Sequence, residues 1–374
     1  MTRKLLSNYF SRVFVYFAGL MTILADDLPI RGLHLFAPKR GDEVALCERF
    51  IREALPQEGV NTLVLEFDYS FQFLSRSEMA DPSAIDASDA KRIAKACRAA
   101  GVRLIPQINC LGHQSWAKNN GALLKKYPEF DETPNKYPNN EGIYCRSYCP
   151  RHPEVHKVLF DLIDELADAC DAKDFHVGLD ETFIIADKDC PRCGGKNPAA
   201  IFAAEITALR DHLKKRGRTL WMWGDRLLDG KATRTGEWEG AINGTHHAID
   251  AIPKDIIICD WHYDKTFTTP ELFAERGFRV VASPWRKTDV ALGQLQLLRD
   301  MRSSRDRAYA RNGYGMLQTT WCGFTPFVKT YFGELQKPSR DAAEAVDCFR
   351  VLFAEIRKQG KTPPLRPERR GLRE

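Results

Sequence analysis

Asp174-Phe175-His176-Val177-Gly178-Leu179-Asp180-Glu181-Thr182 is the segment from which the rest of the chain can be read. A short apolar run ends in two adjacent carboxylates, with a glycine where a Cβ would normally stand. Carboxylates are costly at the end of a buried strand unless they are paired or put to use. Two adjacent acids suit a division of labour, one staying ionised and the other holding a proton for donation. A helix N-cap followed by a first-turn acid is the competing reading of the same pair.

Outward from this segment, strand-like and helix-like stretches alternate. Short apolar, often β-branched runs fall near 31–36, 61–68, 102–109, 174–179, 219–223, 256–261, 279–283 and 315–320. Helical spacing of apolar residues runs over 45–55, 88–100, 156–170 and 198–216, and Gly59, Gly101 and Gly217 stand as stops. Helix, glycine and apolar strand in that order is the turn chemistry of αβ loops. The pattern predicts a (β/α)8 TIM barrel as a single domain over 28–359, with long loops after strands 3 and 4 at 110–150 and 183–197. A doubly wound sheet is the alternative, and no Gly-rich phosphate turn follows any strand to support it.

In a barrel the site lies at the C-terminal strand ends. The residues expected there are Glu66, Asp68, Asn109, His113, Asp180, Glu181, Trp223, Asp225, Trp261, Tyr263, Trp285 and Trp321. Aromatic walls beside carboxylates suit a sugar ring, whose C–H faces stack on indoles while its hydroxyls meet acceptors. Trp116 and Trp238 lie in loops, within reach of outer subsites.

A formal net charge of +5, spread along the chain, makes no case for nucleic acid. Arg3, Lys4 and Arg12 precede an apolar stretch from Val13 to Ala25, so residues 1–25 read as a signal peptide. Export to a periplasmic or extracellular space follows if it is cleaved; a membrane anchor or a cytoplasmic protein follows otherwise. No other segment is long and apolar enough to span a bilayer. The basic, Pro-containing tail 360–374 reads as disordered. Of eleven cysteines, Cys145, Cys149, Cys190 and Cys193 cluster on the two long loops, with His152 nearby. Cys190-Pro-Arg-Cys193 is half of a zinc site. A structural zinc held by all four cysteines, or by three of them and His152, therefore stands beside disulfides and free thiols as the three readings.

The residues resemble the catalytic domain of glycoside hydrolase family 20, the β-N-acetylhexosaminidases, and are most similar to its single-domain, hexosaminidase D-like branch. His176-Val-Gly-Leu-Asp-Glu181 resembles the family's His-x-Gly-x-Asp-Glu signature, and Leu111-Gly112-His113, Trp223-Gly-Asp225 and Trp321 match its later motifs in order. Arg31 resembles a first-strand arginine that contacts the terminal sugar. The resemblance implies an exo-acting enzyme that removes terminal GlcNAc or GalNAc with retention, using the substrate's own acetamido group and no catalytic cofactor. Asp180 then stabilises the oxazolinium and Glu181 is the general acid. His113 is expected to bridge Glu181 to Glu66 or Asp68, with His176 as a supporting residue. Phe36 departs from the family's first-strand Asp, and Ser283-Pro-Trp-Arg-Lys287 stands where its Tyr-x-Asp is expected, so Tyr263 is a candidate for the missing phenol. A modified or anionic aminosugar, suggested by Lys39, Arg286 and Lys287, and a catalytically silent sugar-binding barrel are the alternatives.

Overall fold

The computed structural model describes residues 28–359 except 80 and 82; the expected signal peptide and basic tail lie outside the described residues. Eight parallel strands close into a barrel in sequence order. They are β1 Ile30–Phe36, β2 Thr62–Glu66, β3 Arg103–Cys110, β4 Asp174–Gly178, β5 Thr219–Trp223, β6 Ile257–Trp261, β7 Arg279–Ser283 and β8 Gly313–Gln318. All eight expected strands are present. β2 is buried at every position, as a parallel strand covered on both faces must be.

The outer shell consists mainly of α1 Asp42–Glu53, α2 Ala87–Ala99, α3 Val155–Ala169, α4 Pro198–Lys215, α5 Thr269–Glu275, α6 Thr288–Arg302, α7 Phe324–Tyr331 and α8 Arg340–Gln359. Local chemistry sets their ends. Asp86 caps α2 by accepting from Ser88 N and Asp89 N, and Asn197 caps α4 with Pro198 in its first turn. Gly101 and Gly217, both at φ 68°, take the left-handed conformation just past α2 and α4. The crossover from β5 to β6 departs from the expected pattern. Among the described residues it carries only the 3-10 turns Asp225–Leu227 and Thr245–Asp250.

Among the described residues, apolar burial falls into two cores. One lies between strands and helices. The other fills the lumen with Ile30, Val64, Ile105, Trp221, Ile257, Val281 and Leu317 and continues upward into Trp223 and Trp261. The lumen is therefore packed below and aromatic above. Among the described residues, no helix is long and apolar enough to cross a membrane.

Candidate active site

β4 ends on Gly178, at φ 67°. A Cβ here would meet Asn109 Oδ1 at 2.3 Å and Asn109 Cα at 2.9 Å, so only glycine lets the ends of β3 and β4 approach so closely. Gly178 N donates to His176 Nδ1 at 3.1 Å. Burial holds His176 well below the usual imidazole pKa, with the neighbouring His34 adding to the effect. A neutral His176, packed 4.5 Å from the Trp223 ring, therefore braces the turn from beneath.

Beyond this turn the backbone is strained. Leu179, Glu181, Asp68, Leu111 and His113 all have φ between 45° and 72° although none is glycine. Such residues cost on the order of 1–3 kcal/mol each and persist only where the surroundings impose them. Here those surroundings are visible. Glu181 N donates to Asp225 Oδ2 at 2.9 Å. Asn243 Nδ2 donates to Thr182 O at 2.9 Å and Phe183 O at 3.2 Å. Gly112 passes so near that a Cβ would lie 2.8 Å from Asp180 O.

Together these place His113 Nε2 3.2 Å from Asp180 Oδ2 and 3.2 Å from Glu181 Oε2. Burial alone would lower the His113 pKa, but the Asp180 and Glu181 carboxylates outweigh it and hold it well above the usual value. This corrects the expected bridge to the second strand. Glu66 has its own partners, with His34 Nε2 at 3.0 Å, Gln107 Nε2 at 2.9 Å and Asn109 Nδ2 at 3.1 Å. Asp68 Oδ1 accepts from Asn109 N at 2.8 Å. Burial and the charge of Glu66 push Asp68 up to about 7.

The acids open into a cavity of about 620 Å³ lined by Phe36, Glu66, Asp68, Asn109, His113, Ser115, Trp116, Tyr144, Asp180, Glu181, Trp223, Trp238, Glu239, Trp261, Tyr263 and Trp321. That is within the usual range for a small-ligand site. The deep wall pairs Trp261 with Tyr263 at 5.0 Å and Trp223 with Trp321 at 6.2 Å between ring centroids. Trp321 Nε1 donates to Tyr263 Oη at 2.8 Å. At the mouth, Tyr144 meets Trp238 and Trp116 edge-on, and both indoles are solvent-exposed.

Several expected site residues lie elsewhere. Arg31 stands at the start of β1, about 16 Å along the strand from Phe36. Its guanidinium donates to Gly59 O and Leu28 O at the opposite end of the barrel. Asp225 does not line the cavity. It is buried behind Glu181, where Arg226 Nε donates to it at 2.7 Å, and burial pushes its pKa up to about 6 despite Arg226. Trp285 packs against Tyr263 outside the cavity. Arg286 and Lys287 are already paired, with Glu344 at 3.2 Å and Asp264 at 2.9 Å. Cys145 contacts Glu181 O at 3.6 Å and stands apart from the other thiols. The fourth member of that cluster is Glu132. His152 is not in it: its Nδ1 accepts from Glu154 N and its ring packs on Phe130.

Sequence reading missed Phe36, Ser115, Tyr144 and Glu239 as lining residues. Glu239 is held by His262 Nδ1 at 2.8 Å, while His262 Nε2 lies 2.8 Å from Thr269 Oγ1 and 3.3 Å from Asp260 Oδ1. Burial lowers the His262 pKa, but Asp260 and Glu239 outweigh it and raise it to about 9. The folded value exceeds the unfolded one, so this stabilisation is fully present below about pH 6.5 and is lost as pH rises through about 9. Calorimetry of His262→Gln against the parent protein should show a Tm deficit at about pH 6 that shrinks by about pH 10.

The model for the glycosyl hydrolase family 20 catalytic domain matches residues 75–314. The chain is 26% identical over 216 residues to a lacto-N-biosidase of Bifidobacterium bifidum, covering 54% of this chain and 18% of that one. It is 32% identical over 146 residues to a beta-hexosaminidase of Akkermansia muciniphila, covering 36% and 28%. The matched region thus spans less than a third of either relative. Among solved structures, the barrel is similar to a Flavobacterium johnsoniae chitobiase, with a TM-score of 0.61 at 18% identity over 89% of this chain and 51% of that one. It is also similar to Dispersin B, with a TM-score of 0.51 at 17% identity over 87% and 98%. At these identities the structural likeness concerns the fold.

Proposed function

The chain belongs to glycosyl hydrolase family 20, and on that premise we propose that it is an exo-β-N-acetylhexosaminidase releasing terminal GlcNAc or GalNAc with retention. The observation that carries this reading is the contact of His113 with both Asp180 and Glu181 at the floor of an aromatic cavity. The sugar's acetamido oxygen attacks C1 while Glu181 gives its proton to the departing glycosidic oxygen, and the C1–O bond breaks. Asp180 accepts from the acetamido N–H and stabilises the positive charge of the oxazolinium. Glu181, now ionised, takes a proton from water as that water attacks C1, which restores the acetamido group. His113 Nε2, whose pKa is raised by these two carboxylates, lies 3.2 Å from Glu181 Oε2 and offers a positive charge beside it as it ionises.

The surroundings support these roles. Asp180 Oδ1 is buried without an intramolecular partner, as suits an atom that completes its bonding with substrate. Trp223, Trp321 and Tyr263 form a wall for the acetamido methyl, and Tyr263 Oη replaces the family's seventh-strand phenol. Trp116 and Trp238 extend the aromatic surface toward the leaving group. Export through residues 1–25 belongs to the same reading.

A panel of p-nitrophenyl β-glycosides tests it. GlcNAc or GalNAc should be hydrolysed at least about 1,000-fold faster than Glc, because the glucoside lacks the internal nucleophile, whose effective molarity is large. Equal rates on Glc would exclude the assignment, and binding without turnover on all three would indicate a silent sugar-binding barrel.

A further inference from the structure

The two long loops meet at a cluster of side chains that the reaction does not use. Glu132 and Cys149 come from the third βα loop, and Cys190 and Cys193 come from the fourth. One ligand atom from each lies within 4.8 Å of all the others, and all four residues are buried. Cys149 Sγ is 3.6 Å from Cys190 Sγ and 3.8 Å from Cys193 Sγ. A disulfide would need about 2.05 Å. Sulfurs on a zinc tetrahedron with bonds of about 2.3 Å are spaced about 3.8 Å apart, so Cys149 already stands at a tetrahedral edge length from both Cys190 and Cys193.

Glu132 supplies an independent observation. The residue is 0% exposed. Its Oε1 lies 2.7 Å from Cys193 Sγ and accepts from Asp187 N at 3.0 Å, while its Oε2 is buried with no hydrogen-bond partner. A carboxylate oxygen buried in that way is strongly disfavoured, and a coordinated cation removes the penalty. We propose that Cys149, Cys190, Cys193 and Glu132 form a structural zinc site tying the third βα loop to the fourth. Three thiolates favour zinc over magnesium or calcium, and four protein ligands leave no open position for catalysis. The fourth loop follows directly from Glu181 and the third carries Tyr144, so the metal fixes the pocket wall relative to the acids. The ion pair of Lys136 with Asp187 at 2.7 Å ties the same two loops.

Metal content tests this independently of hydrolysis. Protein made in zinc-supplemented medium and purified under reducing conditions should hold about one zinc per chain. Cobalt(II) exchanged into the site should give thiolate charge-transfer absorption and the intense visible bands of a tetrahedral centre. Cys190→Ser should lose the metal or its tight binding, while Cys322→Ser, outside the cluster, should retain it. If Cys190→Ser does not fold, the parent protein decides. Less than about 0.1 zinc per chain after incubation with zinc, or a Cys149 disulfide to Cys190 or Cys193 in unreduced peptides, would overturn the proposal.

Discussion

Glu181→Gln should lower kcat by about 100- to 10,000-fold on substrates whose leaving group must be protonated, with little change in KM. Glutamine fills the same volume and can still meet His113, but it can neither donate a proton to the glycosidic oxygen nor take one from water. The two losses separate by leaving group. With a 2,4-dinitrophenyl aglycone, departure needs no proton, so the first step survives and only water attack is slowed. Pre-steady-state measurement should then show a burst of phenol followed by a slow phase. Unchanged steady-state turnover on an alkyl or sugar aglycone would remove Glu181 from the role of acid. The φ of 45° at this residue and the Glu181 N–H bond to Asp225 Oδ2 are backbone features that glutamine leaves in place, so the loss reads the missing proton.

Asp225→Ala should be the most damaging substitution outside the cavity, costing roughly 3–5 kcal/mol of folding stability. Asp225 and Arg226 are 2% and 0% exposed, and the alanine leaves a buried guanidinium without its counter-charge. Arg226 still donates to Glu237 O and Trp238 O, at 2.8 Å and 2.7 Å, but carbonyls do not neutralise it. The substitution also removes the acceptor for Glu181 N, so the protein that remains folded should have a lowered kcat. Asp225→Asn keeps an oxygen at the Glu181 N–H and should recover part of kcat while remaining less stable. Chemical denaturation compared with kcat at a temperature where both variants are folded separates the two effects. A stability loss below about 1 kcal/mol would show that the pair is not held as described.

The barrel was legible because its signals are local and repeated. Apolar runs of strand length follow glycines that end helices, as at Gly101 before β3 and Gly217 before β5. Asp180, Glu181, Trp223, Trp261, Tyr263 and Trp321 were legible for the same reason, since each stands at or just past a strand's C-terminal end. Arg31 failed by the opposite measure. It resembles a motif residue, yet it sits at the beginning of its strand, and a parallel barrel has two ends with different chemistry. Asp225 stands two residues beyond β5, where a 3-10 turn swings it behind Glu181. No periodicity marks that turn.

Loop residues were the least legible. Glu132 lies well before Cys149 in sequence, and the third loop brings them together by folding back. Glu132 N donates to Ser147 O at 3.0 Å and Cys149 N donates to Phe130 O at 2.6 Å. Counting cysteines and histidines therefore grouped Cys145 and His152 with the other thiols, whereas the side chain that clusters with Cys149, Cys190 and Cys193 is a glutamate that carries no spacing signal. Tyr144 and Glu239 reach the cavity in the same way, from irregular segments whose course depends on tertiary contacts.

The most direct test of substrate assistance follows kcat on an aryl β-N-acetylglucosaminide series whose N-acetyl group carries an increasing number of fluorines. Fluorine draws electrons from the amide oxygen and weakens it as a nucleophile while leaving the sugar hydroxyls and the aglycone unchanged. If the acetamido oxygen attacks C1, kcat falls steeply with each fluorine. If kcat is indifferent to fluorination, an enzyme carboxylate or a water molecule attacks instead, and both the substrate-assisted mechanism and the role given to Asp180 are wrong.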